Sequence, residues 1–547
     1  MMKRHIFLSF AFMATLMSWA DVVDPADFRI VCKDGSVAYF RGLASEMTFS
    51  KDASILYVTM DSNCTSFAVE GIEAIEFAEG GTYRDKYSCE ASHIDVVIDP
   101  ADDTEYTEVP EEVIADDTHD DYGDFIENYI QPKRVSIVYD GDKVTVDGKE
   151  VETAVMVGTA TIIANGAHVT VLAPAKYAFS LKGTTSNGSF KLMADSKKTQ
   201  ITLDGVSITN PTGAAINIQS GKTMLIQVAD GTTNYLEDGA SYVLEDEEQQ
   251  KGTFFSEGQL IFSGEGSLNV KSNYGHGIAS DDYVRIRSGN ITVNSTRDGI
   301  STKERFIMYG GKLTVDAKQD GVDAGEGYVE IGGGKLDIKA VDEGITASYE
   351  GEDDGTIDTT IDPYMEVKGG LIKVTTTGDK GHGIRAMSTL TMSGGIVQVT
   401  VKGAGSKAML SEGDMSLTGG KVTALAEGDA LYEADVQELS SAAAIRSKGT
   451  LKIENMQVGA KSTGTGGKGI NNVGDITVKN SLVTVVALGT VHTHGNLDSH
   501  ARGVTTDGDF TLDGGSLLVK SLDAPLYVSG TLAFANAAVY GGYQVGK

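Results

Sequence analysis

The chain has 547 residues, 41% of them hydrophobic, with 66 glycines, three cysteines, one tryptophan and a formal net charge of −32 at pH 7. So acidic a chain is a poor partner for nucleic acid, whose phosphates need clustered lysine and arginine, and suits instead carboxylates that meet divalent cations. Beyond the first 20 residues no run approaches the length of about 18 apolar residues that a membrane-spanning helix needs.

Residues 1–20 have a basic start at Lys3 and Arg4, an apolar stretch from Ile6 to Met17 and Ser18-Trp19-Ala20 as a small-x-small cleavage site. This predicts a secretory signal peptide and an exported protein, at the cell surface, in the periplasm or secreted. Its removal takes away Lys3, Arg4 and Trp19, moving the charge to about −34 and leaving any sugar stacking to tyrosine or phenylalanine. No cysteine closely follows the cleavage site, which argues against a lipid anchor.

Residues 21–80 alternate apolar and polar positions, as in Phe28-Arg29-Ile30-Val31, Val37-Ala38-Tyr39-Phe40, Ile55-Leu56-Tyr57-Val58 and Ile72-Glu73-Ala74-Ile75-Glu76-Phe77, and predict a small β module. With its Asp34-Gly35 turn it resembles the short β module found at the N-termini of exported Bacteroidetes proteins. The mature cysteines, Cys32, Cys64 and Cys89, are three, so one is left over in any pairing; Cys32–Cys64 is one option. Next come residues 81–134. Between 90 and 127 they hold fifteen Asp and Glu and no Lys or Arg, the composition of a self-repelling, solvated linker, although the aromatics at Tyr122 and Phe125 are suited to packing on the first turn of the repeat.

From residue 135 to 547 the chain is a repeat. Gly277-Ile278, Gly299-Ile300, Gly321-Val322 and Gly344-Ile345 recur at about 22 residues, and the beat continues with insertions at Gly383-Ile384, Gly469-Ile470 and Gly503-Val504. A second beat runs about eleven residues out of phase, at Gly310-Gly311, Gly333-Gly334, Gly369-Gly370, Gly394-Gly395, Gly419-Gly420 and Gly514-Gly515. Short strands lie between, and no crossover helix fits. A fixed period of this size predicts an all-β, single-stranded parallel β-helix, a solenoid whose turns stack about 4.8 Å apart. Hairpin arrays such as sandwiches or propellers do not give this period. Ala215, Ala408 and Ala444 take the glycine place elsewhere, so the place asks for a small residue.

The residue before each Gly-hydrophobic pair carries chemistry: Asp298, Asp320 and Glu343 in three consecutive turns. In register they would stack about 5 Å apart, each pair repelling by up to roughly 3 kcal/mol at an effective dielectric near 20. A calcium ion, which takes six to eight oxygens, relieves such a ladder; Asp323 and Asp342 add oxygens at the same corner, and Asp316 is expected to reach it from the preceding strand. Solvated Asp-Gly turns are the plainer alternative. Residues 350–362 form an acidic insertion between Tyr349 and Tyr364, readable as a solvated loop, a lid or a second calcium loop. His492, His494 and His500 with Asp498 form a cluster that would hold a transition metal if it converged. Arg285, Lys303, Arg385 and Arg446 follow the Gly-hydrophobic corners, placed either to pair with nearby acids or to meet the carboxylate of an anionic sugar.

Three segments, LDGVSITNPTGAAINIQSGKTMLIQVADGTTNYLEDG (203–239), KGTFFSEGQLIFSGEGSLNV (251–270) and HGIASDDYVRIRSGNITV (276–293), closely resemble the bacterial carbohydrate-binding parallel β-helix family, known from cellulolytic anaerobes and abundant in Bacteroidetes. The resemblance covers roughly residues 135–540. It implies a right-handed β-helix similar in shape to pectate lyases, bound calcium, and binding of plant-type or acidic polysaccharides without an established catalytic role. Asp298 and Asp320 match the family's Asp-Gly corners; Glu343 departs by one methylene, and His276 and His382 replace the acid. A polysaccharide-binding face would use Tyr274, Tyr283, Tyr309 and Tyr328 as platforms, with Arg285 and Lys303 beside them. A calcium-dependent lyase and a surface adhesin or matrix protein are the alternatives on the same fold.

Overall fold

The computed structural model describes residues 28–540 and 544–545, apart from 34–36, 41–45, 50–54, 61–62, 78–94, 109, 130–132, 196–197, 245–247 and 352–354. The expected signal peptide, Cys89 and the Cys64 side chain lie outside the described residues, and with them the cysteine pairing. The chain divides into two compact units.

One unit comprises residues 98–416 with 426–428. It opens with an antiparallel hairpin, Lys133–Asp140 against Lys143–Val146, before parallel pairing takes over. A turn of the repeat then contains three strands. Ile300–Thr302, Phe306–Met308 and Lys312–Ala317 form one such turn, and Val322–Ala324, Val329–Ile331 and Lys335–Ala340 the next. Each strand pairs in parallel with its counterpart one turn on, so that Ile278, Ile300, Val322, Ile345, Ile384 and Met409 make one continuous column. Ile291, Leu313, Leu336, Ile372 and Val397 make another. Both columns are almost fully buried. The unit is thus nearly all β and built of long parallel-strand sheets, as in a β-helix-like solenoid.

Two kinds of glycine set the turns. The second glycine of the Gly-Gly beat bends the chain between the second and third strands with positive φ, +76° at Gly311, +83° at Gly334 and +93° at Gly370, a region costly for any residue with a Cβ. The glycine before the buried hydrophobic residue is needed for space: a methyl on Gly321 would overlap Ile338 Cγ2 and the Gly344 carbonyl oxygen. At Gly277, Gly299, Gly321, Gly344 and Gly383 a branched core side chain fills the volume where the methyl would lie. At these turns the place therefore asks for glycine itself, whereas one turn on from Gly383 it takes Ala408, and in the other unit Ala444 stands in register with Gly469.

The other unit comprises the described residues up to Val97, with 417–425 and 429–547. Short strands Ala443–Ser447, Lys468–Asn472, Arg502–Thr506 and Leu526–Val528 pair in parallel, as do the long strands Ile476–Ala487 and Phe510–Ser521. Two three-stranded antiparallel sheets precede them in sequence. One places Phe28–Cys32 between Val37–Phe40 and Ile72–Phe77; the other is Glu46–Phe49, Ile55–Met60 and Asn63–Ala68. Ile30, Cys32, Leu56, Val58 and Phe67 form their shared core, against which Leu518 packs. Among the described residues no helix is long and apolar enough to cross a membrane.

Gly321→Ala is expected to destabilise the protein by about 1–3 kcal/mol through overpacking, read as a lower urea midpoint with unchanged slope. An unchanged midpoint would show that the close packing at this corner is not needed.

Candidate functional site

The acid corner is built by the backbone. Gly277, Gly299 and Gly321 each donate their N–H to the carbonyl of the corner residue one turn on, Asp298, Asp320 and Glu343, at 2.9 Å, which locks those residues into one column. The side chains repeat the linkage: Asp298 Oδ1 accepts from the Asp320 N–H at 3.1 Å, and Asp320 Oδ1 from the Glu343 N–H at 2.7 Å. His276 Nδ1 lies 2.9 Å from Asp298 Oδ2, an ion-pair contact without hydrogen-bond alignment. At the other end Arg385 Nη1 is 3.4 Å from Glu343 Oε1. Beside this column runs a second, Ser301, Asp323, Thr346 and Arg385, in which Asp323 Oδ1 accepts from Ser348 Oγ at 3.3 Å.

Burial raises the pKa of Asp320, and the charges of Glu343, Asp298 and Asp323 raise it further. Burial likewise raises Glu343. Asp323 is pushed up to about 7, by burial first and then by Asp298. Four carboxylates thus share a poorly solvated corner with one histidine and one arginine at its ends. Their donor chemistry, hard oxygens on a desolvated surface, fits calcium. Thr346 Oγ1, buried without a hydrogen-bond partner and next to Asp323 in register, is one more oxygen of that kind. Among the described residues no three acidic, histidine or cysteine side chains are placed as a ready-made metal cage. Of the other expected ligands, Asp342 is exposed and acts on Glu343 through its charge. Asp316 is exposed and paired with Lys318 at 3.1 Å, and the structure does not join it to the corner.

The expected sugar platforms are corrected by the acidic segment. The described residues of 98–129 do not form a solvated linker; they lie as a strap along the outward face of the sheet made by the second and third strands of the turns. Ile126 and Tyr129 pack on Leu225, Ile261 and Tyr283. Asp124 accepts from the Tyr283 hydroxyl at 2.8 Å and from Arg285 Nη1 at 3.2 Å, and Glu111 pairs with both Arg285 and Arg287. Glu127 holds Arg287 at 2.8 Å, Glu108 accepts from the Gly311 N–H, Asp103 pairs with Lys373, and Asp102 accepts from Gln398 at 3.0 Å. Arg285 keeps only 2% of its surface exposed and Tyr283 only 7%, so neither faces a ligand. Burying an arginine demands paired acids, and the strap supplies them.

The remaining expectations divide. Tyr309 is half-buried and donates to Glu330; Tyr328 stacks on Tyr364 with ring centroids 4.6 Å apart. Lys303 is exposed and 3.3 Å from Glu326. Tyr274 is 51% exposed, against the Tyr242 ring. The histidines do not converge: His492 meets Thr465, His494 stacks on Tyr432, and His500 meets Asp523. In the acidic insertion, Asp358 donates its N–H to the Tyr349 hydroxyl, and Glu352, Asp353 and Asp354 lie outside the described residues. A pair that sequence reasoning misses is Asp282 with Glu304, one turn apart; burial first, then Glu304, pushes Asp282 up to about 6.

Residues 165–399, the span that contains the acid corner, match the profile of a family described as carbohydrate-binding domain-containing protein. A protein of that description from Acetivibrio thermocellus is 32% identical over 178 residues; the match covers 30% of this chain and 57% of the relative's length. A solved polysaccharide lyase-like protein from C. thermocellum, a gadolinium derivative, is 26% identical, with a TM-score of 0.35 over 54% of this chain and 95% of the other.

Glu111→Ala is expected to cost about 3–5 kcal/mol, because it leaves buried guanidinium groups short of a partner, and to speed proteolysis within residues 98–129. Stability equal to the parent's in urea unfolding would contradict the docked strap.

Proposed function

We propose that this is an exported polysaccharide-binding protein on a right-handed parallel β-helix, non-catalytic, which carries calcium and recognises plant-type or acidic glycans. The observation that supports it most is that the stretch similar to carbohydrate-binding proteins, residues 165–399, encloses the column of buried acids. Asp298, Asp320, Asp323 and Glu343 would hold the ion. Once bound, calcium would neutralise the column and offer its remaining coordination positions to sugar oxygens. The protein's own residues do the rest: the backbone ladder fixes the carboxylates, and His276 and Arg385 close the column at its two ends.

The sign of the pH effect comes from the raised acids. A carboxyl whose folded pKa exceeds its unfolded value near 3.9 favours folding while protonated, and that contribution is lost as pH rises through the folded value, about 7 for Asp323. Chelated protein is therefore expected to melt at a higher temperature near pH 5 than near pH 8. Calcium at a hundredfold excess over Kd should restore about 2–3 kcal/mol near pH 8 and little near pH 5. Calcium-independent melting at both pH values would remove the ion from the reading.

Binding is tested on immobilised glycans with and without chelator. Retention on an acidic plant polysaccharide, weakened about tenfold or more in Asp320→Asn/Asp323→Asn, is expected. Silence across plant and host glycans would refute polysaccharide binding, and release of an unsaturated uronate product would replace it by lyase activity.

A further inference from the structure

The unit that contains residues 429–547 repeats the same two outward columns with the opposite charge. Lys468 and Arg502 stand one turn apart, each directly before the glycine of a Gly-hydrophobic pair, where the other unit has its acids. The neighbouring column holds Arg446, Asn471, Thr505 and Tyr527 in register. The sequence signal is present in Lys468-Gly469-Ile470 and Arg502-Gly503-Val504, but a search of the corner position for acids alone passes over it.

Lys468 and Arg502 are not held by close carboxylates as the arginines beneath the strap are. Lys468 gives its ammonium hydrogen bond to a neutral hydroxyl, Ser441 Oγ, and the charges acting on it are Arg502 and Arg446. Burial, then those two cations, push Lys468 down to about 8. The Arg502 guanidinium carbon lies over the Tyr527 ring, 3.8 Å from its centroid, and Nε is buried without a hydrogen bond; among the described residues Asp523 is the carboxylate it approaches, at 4.0 Å, and that carboxylate is shared with His500. Thr505 Oγ1, 8% exposed at residue level, is a further buried polar atom without a partner. Like charges assembled beside unpaired donors lower their energy by taking up an anion.

The surroundings have the chemistry of a sugar site. Two hairpins, Leu431–Glu433 with Glu438–Ser440 and His492–His494 with Leu497–Ser499, both reach Gly466, two residues before Lys468, where Ala430, His492 and Ser499 close in. They carry the parallel rings of Tyr432 and His494, 3.8 Å apart. Ser441 and Ser499, at the hairpin ends, face each other at 3.2 Å and lead back to the lysine.

We propose that Lys468 and Arg502, with Arg446 beside them, form a subsite for the carboxylate of an acidic sugar residue in a polysaccharide. The proposal rests on the polysaccharide-binding reading and narrows it to uronate chains, gripped here by guanidinium and ammonium donors. Calorimetric titration of the full-length protein with galacturonate and mannuronate hexamers, with a neutral galactose hexamer and with inorganic sulfate, tests it. At least one uronate hexamer is expected to bind more tightly than the neutral one, and Lys468→Met and Arg502→Met each to weaken that binding by about tenfold. In the unmodified protein the same hexamer should shield Lys468 from amine acylation, read by peptide mass spectrometry, which serves even where a variant folds poorly. Uronate binding unchanged in both variants, no shielding, or uptake of sulfate alone would overturn the subsite. Binding of the neutral hexamer without preference for a uronate would overturn it while leaving polysaccharide binding in place, whereas no binding of any hexamer would overturn both.

Discussion

In a parallel stack held in register, the nearest neighbour of every outward side chain is the residue at the same position one turn away, about 4.8 Å off. That constraint governs the molecule. It lets one glycine position carry a buried hydrophobic column through turn after turn, because each Gly N–H is tied to the next corner carbonyl. It also forbids isolation of charge: an acid repeated at one position becomes a column of acids, and a cation repeated becomes a column of cations. A structure of this kind concentrates like charge wherever its sequence is most regular. The corner at Asp298, Asp320 and Glu343 and the corner at Lys468 and Arg502 are two results of one rule.

The fold was legible because the rule is visible in the sequence. The Gly-hydrophobic beat fixes which residues fall in the core, and Ile278, Ile300, Val322 and Ile345 do form one buried column. The corner acids were legible for the same reason, since their position is defined by the glycine directly after them. Asp323 was legible too, as the second residue past Gly321, on the outward side of a short strand. Asp316 was not, because a residue on another strand of the turn faces a different side of the coil, whatever its distance in sequence. The requirement at the glycine place varies along the stack: alanine sits buried at residues 215, 408 and 444, as the sequence suggests, whereas the valine and isoleucine side chains behind Gly299 and Gly321 leave no room for a methyl.

What the sequence hid was pairing between distant segments. Fifteen acids without a basic residue read as self-repulsion when only local neighbours are counted. Their partners, Arg285 and Arg287, lie more than 150 residues downstream and are presented by strands that exist only once the stack has formed. The same oversight made Tyr283 and Arg285 look like ligand-binding residues: an outward position on a strand was equated with an open one. The strap turns that outward face into an interior, with Phe125 almost fully buried and the guanidinium of Arg287 4.1 Å from its ring.

The strap also has a place in time. Synthesis runs from the N-terminus, so residues 98–129 are made before any turn they cover, and Asp102 waits for Gln398, 296 positions later. Until then the segment is an unpaired polyanion, well hydrated and repelled by copies of itself, at the stage when the bare strand edges of a growing coil are most prone to join those of another chain. Its docking across successive turns is a late, high-contact-order event. The segment that finally covers one face of the finished sheet is thus, at that stage, a charged stretch of chain whose partners are still to be made.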